Sequence, residues 1–163
     1  MVLKKNNMKY KKYNNLFCND FLYKNIIFNN FIKILIKNGK KIISQKIFYK
    51  MFNIIKNFFK KKKKKIIKII LKVIKKISIK YKFIKKKVGN NIINIPFLIN
   101  DKIKRYNLGI KLIIFYSKKR KENNISNKLA FEIIDTYKKI SNTYKKKIEI
   151  NKTLKLNKNF IKI

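Results

Sequence analysis

The chain has no histidine, one cysteine and six acidic residues, and each scarcity removes a class of function. Without histidine the common zinc-ligand patterns are missing, and a single thiol, Cys18, can close no internal disulfide. Cys18 also lacks any imidazole to act as its base, so a lone thiol in an N-terminal arm describes it better than a nucleophile does. Three glycines, Gly39, Gly89 and Gly109, stand too far apart to build a phosphate-cradling loop. Glu132 and Asp135 have the spacing of an acid–base pair on one helix face, but an ion pair with Lys128 or Lys139 accounts for them more simply. No catalytic residue, metal or cofactor is assigned. Lysines interrupt every isoleucine cluster, so no apolar run approaches the roughly 18 residues that a membrane-spanning helix requires. The start, Met1 to Asn7, has neither a secretory apolar core nor an Arg- and Ser-rich transit character, which leads us to expect translation in the compartment where the protein works.

What the sequence has in excess is lysine. Forty-six basic residues against six acidic ones give a formal charge of +40 over 163 residues. A compact state with that charge repels itself unless a polyanion surrounds it. Nucleic acid is the first candidate, because each cation set against a phosphate releases condensed counterions and needs no sequence information to do so. Only Arg105 and Arg120 are not lysine, and the rest of the chain leans on Ile, Asn, Phe and Tyr, all residues with AT-rich codons. Lysine therefore stands where a less biased genome would encode arginine, giving point-charge rather than forked phosphate contacts. The length suits one domain with its own core.

Residues 1–19 are polar and basic without helical or alternating period, and are expected to be a flexible arm whose Lys4, Lys5, Lys11 and Lys12 add to the basic surface. Residues 20–163 are expected to form one helical domain. Phe28, Phe31, Ile32, Leu35 and Ile36 make a first helical stripe that Asn38-Gly39 ends in left-handed conformation. Ile43, Ile47, Met51, Ile54 and Phe58 make a second, after which the run Lys60 to Lys65 reads as a loop. Ile66, Ile70, Val73, Ile74 and Ile77 make a third.

Between about 78 and 99 the period changes to two. Ile79, Tyr81 and Phe83 alternate with Ser78, Lys80 and Lys82, and Ile93, Ile95 and Phe97 alternate with Asn94 and Pro96, so two strands joined by a Gly89-Asn90-Asn91 turn are expected. Pro96 belongs on an edge, which each strand of a lone ribbon is. A fourth stripe, Ile103, Tyr106, Ile110, Ile113 and Ile114, closes at Lys118-Lys119-Arg120. Ile125, Leu129, Ile133, Ile134 and Tyr137 make a fifth, and Ile148, Leu154, Leu156 and Phe160 a weaker, very basic sixth. The expected fold class is mainly α: about six helices with a protruding two-stranded antiparallel ribbon between the third and fourth.

Three basic clusters follow from this layout. Lys80, Lys82, Lys85, Lys86 and Lys87 on one edge of the ribbon and its approach make a basic finger; elsewhere such residues would be a solvated strand face, but the net charge favours nucleic acid. Lys37, Lys40 and Lys41 bracket the Asn38-Gly39 turn, where the amides opening the next helix add to phosphate attraction, besides serving as ordinary helix ends. Lys104-Arg105 and Lys118-Lys119-Arg120 sit at the two ends of the fourth helix, where an ordinary exposed face is an equally good account. The tyrosines and phenylalanines fall mostly on the apolar stripes, so core packing is their expected task.

The order of elements resembles bacterial and organellar small-subunit ribosomal protein seven. Phe31-Ile32-Lys33-Ile34-Leu35-Ile36-Lys37-Asn38-Gly39-Lys40-Lys41 is similar to that family's F-I-N-K-L-M-R-D-G-K-K segment, with Asp20 and Tyr23 placed as in its D-P-x-Y approach. Lys86-Lys87-Val88-Gly89 and Asn94-Ile95-Pro96 resemble R-R-V-G-G-x-x-Y-Q-V-P, and Lys104-Arg105 through Arg120 tracks R-R-Q-A-L-A-L-R-W-L-V-E-A-A-R-K-R. Lys128 to Asp135 is similar to R-L-A-N-E-L-L-D, while Lys145-Lys146-Lys147 and Asn157 to Phe160 resemble the K-K-R and N-R-A-F marks of its last helix. Asn90 replaces the second ribbon glycine, Ile93 and Asn94 replace Tyr and Gln, and Leu112 replaces a Trp, which changes turn geometry and any base-specific contact.

The resemblance implies a structural protein that binds small-subunit ribosomal RNA, nucleates the subunit head beside neighbouring head proteins, and holds its ribbon near the exit-site path of transfer RNA and messenger RNA. The AT-driven composition further suggests an organellar gene, in a reduced plastid before a mitochondrion. Two rivals also explain the charge: a non-specific nucleic-acid compacting protein, and a peripheral binder of anionic membrane. Neither explains several motifs in the right order.

Overall fold

The computed structural model describes residues 25–60, 62–88 and 91–157. Within them are six helices and one antiparallel ribbon. The elements are α1 (Ile26–Leu35), α2 (Lys41–Phe59), α3 (Lys63–Ile77), β1 (Tyr81–Val88), β2 (Asn91–Leu98), α4 (Lys102–Lys118), α5 (Ile125–Tyr137) and α6 (Asn142–Leu156). The arm expected over residues 1–19, with Lys4, Lys5, Lys11 and Lys12, lies outside the described residues, as do Gly89, Asn90 and Phe160.

Short polar side chains set several helix starts. Asn25 accepts from the Ile27 amide at 2.9 Å, Asp101 from Ile103 at 2.8 Å and Ser141 from Tyr144 at 3.1 Å, each satisfying a first-turn donor that has no helical partner. The α1–α2 connection turns through two consecutive left-handed residues, Asn38 (φ 52) and Gly39 (φ 72), the residue types that tolerate that region.

The apolar stripes converge on one core. Phe28, Phe31 and Ile32 of α1, Phe48, Met51, Phe52 and Ile55 of α2, and Ile66, Ile69, Ile70, Val73, Ile74 and Ile77 of α3 are buried. Ile110, Ile113 and Ile114 of α4 and Leu129, Ala130, Ile133 and Ile134 of α5 complete it. The Phe48 ring lies 5.5 Å from Phe28 and 5.4 Å from Phe31 in tilted geometry, pinning α2 to α1. Helix α5 packs on α2, α3, α4 and α6, and α4 packs on α1, α3, α5 and α6, so these two are the central pair. Gly109 sits where α4 crosses the end of α3: a Cβ there would stand 3.4 Å from the Ile77 carbonyl and the Ser78 amide.

Several sequence expectations are corrected. The α2 core face is Ser44, Phe48, Met51, Phe52 and Ile55, while Ile43 and Phe58 are exposed, so the stripe is rotated by about one position. Two phenylalanines bury more area than the isoleucines beside them and decide which face turns inward. Lys63 to Lys65, expected in a loop, form the first turn of α3. The six-residue apolar stripe behind them drives the helix, and the lysines stay on its exposed side, where like-charge repulsion amounts to only a few tenths of a kcal/mol per pair. Ile103 and Ile125, read as core, are exposed, since each lies in the first turn of its helix beyond the reach of the bundle. In α6 the expected apolar stripe does not face the core: Ile148 is exposed and Leu156 is 83% exposed, and the helix is held by Tyr144 against the core together with polar contacts.

The ribbon pairs Tyr81 with Leu98 through Val88 with Asn91, so Asn91 belongs to β2 rather than to the connection. The expected apolar alternation of β2 is also reversed. Phe83 faces Pro96 across the ladder, and Pro96 is buried while Phe97, paired with Lys82, points to the opposite, open side.

Replacing Ile70, which is fully buried, by Ala should lower the unfolding free energy by about 2–5 kcal/mol. Gly109→Leu should cost roughly 1–3 kcal/mol through the α3–α4 crossing, whereas Gly39→Ala should act only through its φ. Urea midpoints at fixed slope measure all three.

Candidate nucleic-acid interface

Basic side chains in this fold divide into those it uses and those it leaves over. The used ones cluster where α4, α5 and α6 meet. Arg120, just past α4, reaches Glu132 at 3.0 Å, Asp135 at 2.7 Å and Glu122 at 2.9 Å. Glu132 is 1% exposed, and its other oxygen accepts from the Thr143 hydroxyl at 2.5 Å and amide at 3.2 Å. Thr136 links the same corner to Ser141 at 2.8 Å. The acids thus pair with Arg120, not with Lys128 or Lys139 as the sequence suggested, because a planar fork serves several carboxylates where an ammonium serves one. Burial alone would raise the Glu122 carboxyl, but its backbone hydrogen bond and Arg120 outweigh that and hold it below the usual glutamate value. Arg120 in turn is held above its ordinary value.

Two lysines close helix ends inside the bundle. Lys76 donates to the Tyr137 carbonyl at 3.1 Å and the Thr136 carbonyl at 3.4 Å at the end of α5, and Lys147 donates to the Lys76 carbonyl near the end of α3. Burial, and then the neighbours Lys139 and Lys72 for Lys76, and Lys76 and Lys80 for Lys147, pushes both below the usual lysine value. Arg105 donates from Nε to the Ile99 carbonyl at 2.5 Å, tying the ribbon's exit to α4. Sequence reasoning placed Arg105 and Arg120 on the nucleic-acid surface; both guanidinium groups have internal partners, which no periodicity reveals.

Of the remaining candidates, those whose side chains are described are exposed. Lys37, Lys40 and Lys41 surround the α1–α2 turn, and no side chain caps the start of α2. Lys37 and Lys40 line a groove of about 460 Å³ together with Lys118 from the far end of α4, so two clusters separate in sequence become one surface. Lys119 lies over the Phe115 ring at 4.6 Å. On the ribbon, Lys80, Lys82, Lys86 and Lys87 are exposed along β1 and its approach, and the pleat sends Lys82 and Lys86 to one face and Lys87 to the other. Lys85 pairs with Asn94 in the ladder. Lys82 and Lys104 line a cleft of about 580 Å³ between the root of the ribbon and α4.

Sequence reasoning missed Lys111 in that cleft, and Lys46 and Lys50 in a groove between α2 and the start of α5. The signals were present: Lys104 and Lys111 are seven apart and Lys46 and Lys50 four apart, spacings that share a helix face. Ile43, Ile47 and Ile125 line both this groove and the Lys37–Lys118 groove, which makes the two continuous.

A helical bundle and ribbon faced with exposed lysine defines a protein built to meet a polyanion. The pattern of the family described as ribosomal protein S7p/S5e matches residues 4–158. A small ribosomal subunit protein uS7 of Carsonella ruddii is 34% identical over 150 residues, spanning 92% of this chain and 94% of the relative. The uS7c protein of Euglena gracilis is 32% identical over 141 residues, 86% of this chain and 88% of its own. A uS7 protein of Thermodesulfovibrio yellowstonii is 28% identical over 138 residues, 85% of this chain and 86% of its own. The chain belongs to the ribosomal protein S7p/S5e family.

Glu132→Ala should cost roughly 1–3 kcal/mol, because it leaves the Thr143 hydroxyl and amide without their buried acceptor, while Arg120 keeps Glu122 and Asp135. The sign of the acid response follows from Glu122: a carboxyl depressed in the folded state stabilises above its unfolded value, 4.5, and that contribution is lost as pH falls through the lower folded value. Urea unfolding should therefore show stability falling below about pH 4.5, with a shallower fall in Glu122→Gln.

Proposed function

We propose that the protein is a structural constituent of the small ribosomal subunit that binds small-subunit ribosomal RNA directly and helps to organise the subunit head. The observation that carries this reading is the distribution of charge: exposed lysines gather at the α1–α2 turn, along α2, at the end of α4 and on the ribbon. A folded RNA presents phosphates in that kind of spaced array, and shape with charge, rather than base-edge readout, suits lysine contacts. The uncapped start of α2 beside Lys40 and Lys41 adds oriented amides to one of these contacts.

Membership of the family extends the reading to neighbouring head proteins as partners. On the same reading the ribbon lies near the exit-site path of transfer and messenger RNA. The lysine-for-arginine bias favours an organellar gene, in a plastid rather than a mitochondrion. The arm lysines Lys4, Lys5, Lys11 and Lys12 are assigned to the same RNA.

Cross-linking in the native compartment should recover small-subunit ribosomal RNA; recovery of duplex DNA or lipid in its place contradicts the proposal. In solution, Lys85, Lys86 and Lys87 changed together to Ala should weaken binding to head-domain RNA and flatten the plot of log K against log salt by roughly two to three. An unchanged slope removes the ribbon from the interface.

A further inference from the structure

The cleft between the ribbon root and α4 has a composition that phosphate binding alone does not require. One wall is a single face of α4, Lys104, Asn107, Leu108 and Lys111, spaced at i, i+3, i+4 and i+7. The other wall is Phe97, paired across the ladder with Lys82. Phe97 is 58% exposed. Among the described residues the other exposed phenylalanines carry a cation: Lys138 lies 5.1 Å from the centre of Phe58 and Lys119 lies 4.6 Å from that of Phe115. Among the described residues no ring and no ammonium is stacked on Phe97. An aromatic face is thus left open inside a basic cleft, where leaving it wet gains nothing for the fold.

Charge and size define what fits. Lys82, Lys104 and Lys111 surround the opening, and Asp101, the carboxylate on its rim, is turned to the Ile103 amide as the cap of α4. Lys104 and Lys111 are two helical turns apart, about 10.5 Å along the axis, so they can serve separate phosphates rather than one. A volume of about 580 Å³ falls in the range of sites for single small ligands. Asn107 brings a carbonyl oxygen that is shut off from solvent and has no hydrogen-bond partner. Its terminal amide torsion is soft, so a donor entering the cleft can draw it round at little energetic cost.

We propose that this cleft takes one unstacked nucleobase of the bound RNA, laid on the Phe97 ring, with flanking phosphates at Lys82, Lys104 and Lys111 and a donor of the base edge offered to Asn107. The proposal rests on the RNA-binding reading above and narrows it, since RNA presents splayed bases at bulges and loops and a duplex does not. Stacking needs the ring but not the charge, whereas the lysine contacts need the charge but not the ring. The two contributions therefore separate by mutation.

The test uses the full chain and two short RNA duplexes of one sequence, one fully paired and one carrying a single bulged fluorescent adenine analogue. The wild type should bind the bulged RNA on the order of tenfold more tightly and quench the analogue. Phe97→Tyr should keep both properties. Phe97→Leu, which retains apolar bulk, should lose both while binding the paired duplex with wild-type affinity and salt dependence. Lys104→Ala with Lys111→Ala should weaken both complexes and flatten their salt dependence. Equal wild-type affinity for the two RNAs, or a preference that survives in Phe97→Leu, overturns the base site and leaves RNA binding standing. Failure of the wild type to bind either RNA overturns both.

Discussion

Among the described residues the fold holds five carboxylates, and it has taken up all of them. Glu122, Glu132 and Asp135 converge on Arg120, Asp101 caps α4, and Glu149 pairs with Lys146 at 2.6 Å. None is left to face the exposed lysines of the α1–α2 turn or the ribbon. The formal charge of +40 is therefore not an average spread over mixed ion pairs but a surplus with no internal counterion. A surface of that kind stores repulsion when the protein is alone and releases it when a polyanion docks.

The same shortage explains how the bundle is closed. With few acids to cap and pair, α6 is attached through Thr143 to the buried Glu132, through Ser141 to Thr136, and through Lys147 to the end of α3. Lysine thus serves as a helix-end donor where the composition offers little else. These buried or half-buried contacts fix the relative placement of α4, α5 and α6, and hence of the grooves that Lys37, Lys40, Lys118, Lys46 and Lys50 line.

Most of the architecture was legible because periodicity is a property of neighbouring residues. The α3 stripe Ile66, Ile70, Val73, Ile74 and Ile77 is buried as read, and the change of period at the ribbon marked it correctly. Errors arose where two faces of similar hydrophobicity competed. On α2 both Ile43-Ile47-Ile54 and Phe48-Phe52-Ile55 look apolar, and only the packing of Phe48 against Phe28 and Phe31 selects between them. In β2 the residues either side of Pro96 were assigned to the wrong face because the proline was counted as polar spacing. The internal partners of Arg105 and Arg120, Ile99 and the acids of α5, were not legible because tertiary geometry brings them together. Lys111 joined Lys82 only when the ribbon folded against α4.

If the folded chain carries unneutralised lysine which a polyanion relieves, the salt dependence of its own stability reports it. Unfolding of the free protein by urea is measured while potassium chloride is raised from about 0.02 M to about 0.3 M, over which the screening length falls severalfold. The expected result is a midpoint that climbs steadily with salt in the free protein, and that starts higher and fails to climb in a complex with head-domain RNA, because salt weakens the binding that stabilises it. A free-protein midpoint that is flat or falls with salt would contradict it.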